Sequence, residues 1–370
     1  MFYHRIVAKF GTRLLTAGSE HLDLRIMANL TEQVAQIHNQ GREIIIVSSG
    51  AIAAGREKLK GVHERKNVPF KQVLASVGQG HLMHIYGQLL GQYDITIAQA
   101  LLTKADMSDR AGYLNARNTL LSLIELGVVC IVNENDVVAL DEIEELKFGD
   151  NDNLSAMVAN LIDADLLVLL TDVSGLYTAD PRRNPNARLI SRVDNIDDEI
   201  ERLAQETTDY HGTGGMITKI EAAKLATCSG VAVVIADGWE PDILMRISNG
   251  EERGTLFPPR VNKMESRKRW MLSGLASKGK IMVDKGAVVA VKEQDRSLLP
   301  AGVVGVEGHF GRGDIVDIFD KEGNHIACGI SNYSSTDMAV IKGVRSDRIP
   351  GLLGHEYGDE VVHRSNMVIL

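Results

Sequence analysis

The chain has 370 residues, of which 44% are hydrophobic and 24% charged, a composition typical of soluble globular proteins and a length that favours two domains. Its net charge of −9 disfavours a dedicated nucleic-acid-binding protein, and no apolar run is long enough to span a membrane. The N-terminus has no apolar signal-peptide core, and the three cysteines show neither zinc spacing nor a disulfide framework, so we expect a cytoplasmic protein.

Apolar segments of strand length alternate with helical patterns as far as about residue 257. The predicted strands are residues 6–10, 44–50, 95–102, 128–133, 166–172 and 231–238. A helical stripe from Met27 to Ile37, ending at Gly41, separates the first two. Because the strands are apolar throughout, they predict an α/β fold, a doubly wound, mainly parallel sheet sandwiched by helices. Ligands of such sheets bind at the carboxyl ends of the strands.

The pattern changes at Pro258-Pro259, where a polar and basic segment begins. We therefore predict a first domain at residues 1–257, a linker at 258–274 and a second domain at 275–370. In the second domain, short apolar pieces between Gly, Pro and Asp turns predict a small β-barrel. These pieces are residues 280–284, 287–292, 313–320 and 325–331.

Two strand ends carry candidate anion-binding groups. Lys9 stands at the end of the first strand, just before Gly11, although a solvent-facing lysine before a turn has the same pattern. Ser49 and Gly50 join the second strand directly to a helix, whose first N–H groups and dipole attract anions. Tight packing between strand and helix is the alternative explanation for these small residues.

Polar side chains are dense in two further segments, 133–136 (NEND) and 149–153 (GDNDN). Carboxylates and carboxamides at strand and helix ends are costly to bury without partners. One of them explains a helix cap, but two clusters favour recognition of a zwitterion. Its ammonium group would meet the carboxylates, and its carboxylate would meet the amide donors.

The segment GTGGMITK, residues 212–219, is glycine-rich and ends in a lysine, but it lacks the spacing of a P-loop. A glycine nest that leads into a helix can cradle phosphates without that spacing. Thr171 and Asp172 follow the strand LLVLL and are candidates for contact with a nucleobase or ribose.

Taken together, KFGT, VSSGAIAAG, VNENDVV, FGDNDNLSA, LLTDVSGLYTADPRRNP and GTGGMITK resemble the motifs of the amino acid kinase family, in order and nearly end to end over residues 6–257. The match is strongest to members that act on the γ-carboxylate of glutamate. The tail resembles a PUA domain. Phe10 and Arg13 depart from the family's usual residues, and we expect neither to touch a residue with an assigned role.

The resemblance implies transfer of the γ-phosphoryl group of ATP, with Mg²⁺, to the γ-carboxylate of L-glutamate, the first step of proline synthesis. Lys9 and Lys219 would flank the transferred group, and Asp152 would position both. Gly11 and Gly50 would add N–H donors to its oxygens. The residues implied for glutamate are Ser49, Gly50, Asp136, Asp150 and Asn151. Those implied for ATP are Lys9, Gly11, Thr171, Asp172, Thr213, Gly214, Gly215, Met216, Ile217, Thr218 and Lys219. No residue is assigned as a metal ligand.

The resemblance also implies a homo-oligomer, dimer or tetramer, and feedback inhibition by L-proline. Kinases of aspartate, N-acetylglutamate, carbamate or UMP remain alternatives within the same fold. The acidic cluster disfavours an acylated amine, and a UMP site should carry more cations. RNA binding through the tail is a further alternative, but residues 275–370 carry 11 Lys and Arg against 13 Asp and Glu, which disfavours a nucleic-acid partner.

Overall fold

The computed structural model describes residues 3–59, 68–138, 151–206, 215–260 and 277–370. These residues divide into two compact units, the first within Met1–Lys263 and the second within Met264–Leu370. The first unit encloses two hydrophobic cores and the second unit one. Most of the predicted linker, from residue 261 onward, lies outside the described stretches.

The first unit is built on a seven-stranded sheet. Its strands are β1 (Arg5–Phe10), β2 (Glu43–Ser48), β3 (Ile97–Leu102), β4 (Val129–Glu134), β5 (Leu166–Thr171), β6 (Ala232–Asp237) and β7 (Thr255–Phe257). They lie in the order β3-β4-β2-β1-β5-β6-β7, and all neighbours are parallel except β7, which runs antiparallel to β6. Each predicted strand overlaps one of β1 to β6, so the predicted fold class is confirmed.

Helices cover both faces of this sheet and enclose two cores. The helices are α1 (Thr12–Leu15), α2 (Leu24–Asn39), α3 (Ala51–Lys58), α4 (Val68–Gly91), α5 (Lys104–Ser108), α6 (Arg110–Glu125), α7 (Asn151–Leu161), α8 (Asp198–Glu206), α9 (Met216–Cys228) and α10 (Ile243–Ser248). The first core lies under α2, α3, α4 and α10, and the second under α6, α7 and α9. Along β1, Ile6, Ala8 and Phe10 enter the first core and Val7 enters the second, as strand alternation requires.

The helix predicted between the first two strands is α2. The Asp23 carboxylate caps it by accepting hydrogen bonds from the N–H groups of Arg25 and Ile26, at 2.9 and 3.3 Å. The helix ends at Asn39, and Gly41 follows with φ +75°, a conformation that favours glycine. The predicted start of its buried stripe and its end are both confirmed.

Helices α3 and α4 pack backbone against backbone. A Cβ atom on Gly78 of α4 would lie 1.7 Å from the carbonyl oxygen of Ala51, and one on Gly55 of α3 would lie 2.0 Å from that of Leu74. A side chain at either position would force the two backbones apart. Ala51 is the first residue of α3, and this contact therefore fixes where the preceding turn ends.

The second unit, predicted to be a small β-barrel, is built on a five-stranded, mainly antiparallel sheet. Its strands are β8 (Gly279–Val283), β9 (Val303–Gly308), β10 (Ile315–Phe319), β11 (His325–Ile330) and β12 (Met367–Ile369), in the order β12-β11-β10-β8-β9. Its helices are α11 (Lys285–Lys292), α12 (Ser335–Ile341) and α13 (Ile349–Leu353), with 3₁₀ turns at Pro300–Gly302, Ser346–Arg348 and Arg364–Asn366. Over all the described stretches, no helix combines the length and apolar character needed to cross a bilayer.

One predicted strand of the second unit is wrong. Residues 287–292, AVVAVK, form the greater part of helix α11. The Asp284 carboxylate caps this helix by accepting a 2.8 Å hydrogen bond from the Ala287 N–H, and Ala287 and Val291, four residues apart, are its buried side chains. A short apolar run has no periodicity that separates a strand from a helix, so the cap decides the structure here.

Candidate active site

Lys9, Asp152 and Lys219 meet in one buried cluster. Lys9 Nζ lies 2.5 Å from Asp152 Oδ1, and Lys219 Nζ lies 3.0 Å from Asp152 Oδ2. The side chains are 5%, 0% and 7% exposed respectively, so water screens their charges very little. A buried carboxylate that touches two ammonium groups offsets their mutual repulsion and leaves the cluster with one net positive charge.

The topology explains why these three residues meet. Strand β1 lies between β2 and β5, and Lys9 precedes its last residue. Because Val7 enters the second core, Lys9 projects from the same face of the sheet, toward α7 and α9. Asp152 stands in the first turn of α7 and Lys219 in that of α9, and these two helices pack against each other. The cluster therefore forms at the carboxyl end of β1, where parallel sheets bind ligands.

Thr218 also contacts the cluster. Its hydroxyl oxygen lies 2.9 Å from Asp152 Oδ2 and 2.9 Å from the carbonyl oxygen of Gly215. The neighbouring side chains of α9 also turn inward, since Met216 is buried in the second core and Ile217 packs against that core. The implied contact of Met216 and Ile217 with ATP would therefore involve their backbone.

A second polar network lies at the carboxyl ends of β2 and β4. The side-chain amide nitrogen of Asn151 lies 2.9 Å from Ser49 Oγ, 2.9 Å from Asn133 Oδ1 and 3.2 Å from the Ser48 carbonyl oxygen. Asn133 Oδ1 also accepts a 2.9 Å hydrogen bond from the Glu134 N–H. Ser49 and Asn151, which the sequence pairs only by family resemblance, are thus in direct contact.

Asn133 belongs to this network, although the family resemblance assigns it no role. It is only 4% exposed and joins β4 to the Asn151 amide. Its position in the NEND segment at a strand end was the available signal. Asp136 lies three residues further on, half-buried in the turn that follows β4. Asp150 lies outside the described residues.

The two glycines at the strand ends differ in conformation. Gly50 caps α3 with φ +102°, so it is held in the left-handed region where other residues are strained. Gly11 precedes α1 in extended conformation, and its N–H points to the Leu170 carbonyl oxygen at 3.4 Å. That N–H is therefore already engaged, by a long hydrogen bond, with strand β5.

Thr171 and Asp172 lie at the carboxyl end of β5. Thr171 Oγ1 donates a 3.0 Å hydrogen bond to Asp172 Oδ1, and the Thr171 carbonyl oxygen accepts one from the Gly238 N–H at 2.8 Å. The expectation that Arg13 touches no residue with an assigned role is wrong, because its Nη1 lies 3.4 Å from Asp172 Oδ2. Thr213 and Gly214 lie outside the described residues, so their implied contact with ATP has no structural description.

Comparison with known proteins matches residues 4–237 to the amino acid kinase family and residues 279–353 to the PUA domain. The chain therefore belongs to the amino acid kinase family and carries a PUA domain in its second unit. The family match spans the whole parallel sheet from β1 to β6, including the buried cluster of Lys9, Asp152 and Lys219.

Several full-length relatives carry the name Glutamate 5-kinase. One from Dehalococcoides mccartyi is 57% identical over 368 residues, covering 100% of this chain and 99% of that protein. A relative from Herpetosiphon aurantiacus is 51% identical and covers 98% of both chains. One from Shewanella oneidensis is 48% identical, covering 100% of this chain and 98% of that protein.

Proposed function

We propose that this protein is a glutamate 5-kinase, which transfers the γ-phosphoryl group of ATP to the γ-carboxylate of L-glutamate and forms L-glutamyl 5-phosphate. The full-length relatives support the substrate. The observation that carries the mechanism is the buried Lys9–Asp152–Lys219 cluster, because phosphoryl transfer depends mainly on alignment and on neutralising negative charge. The reaction is the first step of proline synthesis.

The chemistry needs no general base, because a carboxylate is already ionised and nucleophilic at neutral pH. The barrier is electrostatic, since an anion must approach an anionic phosphoryl group. Lys9 and Lys219 neutralise the oxygens of the transferred group from two sides. Asp152 keeps both ammonium groups at fixed positions, so little reorganisation is needed during the reaction.

Glutamate binds at the polar network of β2 and β4. The turn at Ser49 and Gly50, which the Asn151 amide holds through its contact with Ser49, supplies donors for the substrate's carboxylate groups, while Asp136 pairs with its ammonium group. Asn133 holds the Asn151 amide in place through their 2.9 Å contact. This division favours a substrate with an unmodified amine over N-acetylglutamate, in which that positive charge is absent.

ATP binds beside Thr171 and Asp172 and along the segment that opens α9. The family resemblance assigns Thr213, Gly214 and Gly215 to its phosphates, a role typical of glycine-rich segments. Mg²⁺ would accompany ATP as its counter-ion and would supply positive charge to its phosphates. This ion retains several water ligands in such sites and needs few protein ligands.

The proposal extends to the location, assembly and regulation of the enzyme. The enzyme acts in the cytoplasm as a homo-oligomer, dimer or tetramer, and L-proline inhibits it as the pathway's end product. Light scattering with and without proline tests the assembly.

The PUA domain has a structural or regulatory role, because its excess of acidic residues disfavours nucleic acid. Submicromolar, sequence-dependent RNA binding at low salt would contradict that role.

The activity is tested by trapping the acyl phosphate with hydroxylamine. The purified chain is given ATP, Mg²⁺ and hydroxylamine with L-glutamate, L-aspartate or N-acetyl-L-glutamate in separate reactions. We expect hydroxamate and ADP in equal amounts with L-glutamate, and none when ATP is omitted. Hydroxamate with aspartate alone would reassign the substrate, and no hydroxamate with any acid would overturn the proposed function.

A further inference from the structure

Thr218 occupies an unusual position for a residue in a nucleotide-binding segment. It is the third residue of helix α9 and directly precedes Lys219, yet it is only 8% exposed. Its hydroxyl lies 2.9 Å from Asp152 Oδ2, the oxygen that also receives Lys219 Nζ. The side chain thus contacts the carboxylate between the two lysines.

The hydroxyl has one hydrogen and two acceptors at equal distance, Asp152 Oδ2 and the Gly215 carbonyl oxygen. An ionised carboxylate binds such a hydrogen more strongly than a neutral carbonyl does. The hydroxyl therefore donates mainly to Asp152, and the Gly215 carbonyl oxygen shares the same hydrogen as a second acceptor. This contact restricts rotation of the carboxylate, whose two oxygens serve different lysines.

We propose that Thr218 is a positioning residue for phosphoryl transfer, whose hydroxyl fixes the Asp152 carboxylate so that each oxygen keeps its own lysine. The inference rests on the proposed kinase function and goes beyond it. The family resemblance groups Thr218 with the residues that bind ATP. The geometry instead directs its hydroxyl to Asp152, one step removed from the nucleotide.

The two roles predict different kinetics. A group that binds ATP affects the KM for ATP when it is removed, whereas a group that orients the lysines in the transition state affects kcat. In Thr218→Val the side chain keeps its shape and loses the hydroxyl. We expect kcat to fall at least tenfold, with the KM for ATP changed less than threefold. Thr218→Ser restores the hydroxyl and should recover most of the turnover.

Thr227 provides a matched control on the same helix. It is also buried, and its hydroxyl donates to the Ala223 carbonyl oxygen at 2.8 Å, one helical turn back. Thr227→Val therefore removes one hydroxyl from α9 away from the lysines, and its kcat should stay within twofold of the parent. Equal loss of kcat in Thr227→Val and Thr218→Val would assign the effect to the helix and overturn the inference.

A measurement without substrate separates this inference from the proposed function. The resting protein is acetylated briefly, and labelling of Lys219 is followed by mass spectrometry. Loosening of the carboxylate should raise that rate severalfold in Thr218→Val, but not in Thr218→Ser or Thr227→Val. An inactive parent enzyme would refute the proposed function, while unchanged Lys219 labelling in Thr218→Val would refute the positioning role.

Discussion

The contact between helices α3 and α4 predicts opposite effects of the same substitution at two glycines of α4. In Gly78→Ala the added Cβ would lie 1.7 Å from the Ala51 carbonyl oxygen and 2.6 Å from the Gly55 nitrogen. To restore even a 3.0 Å contact, the two helices must separate by about 1.3 Å. Gly80, two residues further along α4, is exposed, and its added Cβ meets no atom within 4 Å.

The magnitudes follow from these distances. Overpacking commonly costs about 1–3 kcal/mol, and backbone atoms cannot turn away as side chains do, so Gly78→Ala should lie near 3 kcal/mol. Because alanine has a higher helix propensity than glycine, the substitution also stabilises the folded state by up to about 1 kcal/mol at either position. We therefore expect Gly78→Ala to lose about 2 kcal/mol net and Gly80→Ala to gain up to about 1 kcal/mol.

The same displacement of the helices should weaken the binding of glutamate. Ala51 follows Ser49 and Gly50 directly, so a shift of α3 moves the turn that the proposed function assigns to glutamate. Gly78→Ala should therefore raise the KM for glutamate severalfold, while the KM for ATP changes little. Thermal unfolding and steady-state kinetics of both variants test the prediction. A Gly78→Ala variant as stable as Gly80→Ala, with an unchanged KM for glutamate, would refute the packing argument.

Three further outcomes are expected. Lys219→Ala should lower kcat by roughly two or more orders of magnitude in the hydroxamate assay, while Lys224→Ala, an exposed lysine on the same helix, should stay near the parent. Asp136→Ala should raise the KM for glutamate with ATP affinity nearly intact; a defect confined to ATP would move Asp136 to the nucleotide side. Burial raises the pKa of the Cys130 thiol to about 12, so Cys130 stays protonated at pH 8. Exposed Cys228 should react with a thiol reagent in the folded protein, and rapid labelling of Cys130 would contradict its burial.

The strands of the seven-stranded sheet were predictable because a strand that is buried on both faces has an almost continuous apolar sequence. The segment LLVLLT is apolar at five of six positions, and all six residues of β5 are buried. The segment at 287–292 shows the limit of that argument, because its apolar run forms a helix capped by Asp284. Where a single capping carboxylate decides between a helix and a strand, composition alone does not show which of the two forms.

The sequence predicted which residues belong to the candidate site better than it predicted the contacts between them. Family motifs point to Lys9, Asp152 and Lys219, and the structure brings these three together. The direction of the Thr218 hydroxyl and the link from Asn133 to Asn151 depend on tertiary packing. No local pattern in the chain specifies either hydrogen bond, since each joins segments that are distant in sequence.

The place of β1 in the sheet has a consequence for synthesis of the protein. This first strand pairs with β5, whose residues follow about 160 positions later in the chain. Lys219 is made about 210 positions after Lys9, which corresponds to roughly 10 to 40 seconds of translation at typical ribosomal rates. Until β5 is made, one edge of the apolar strand β1 lacks the partner with which it pairs in the folded sheet. The residues of the first strand are therefore synthesised early, and the last residue of the charged cluster is synthesised late. A fragment that ends before residue 219 cannot assemble that cluster.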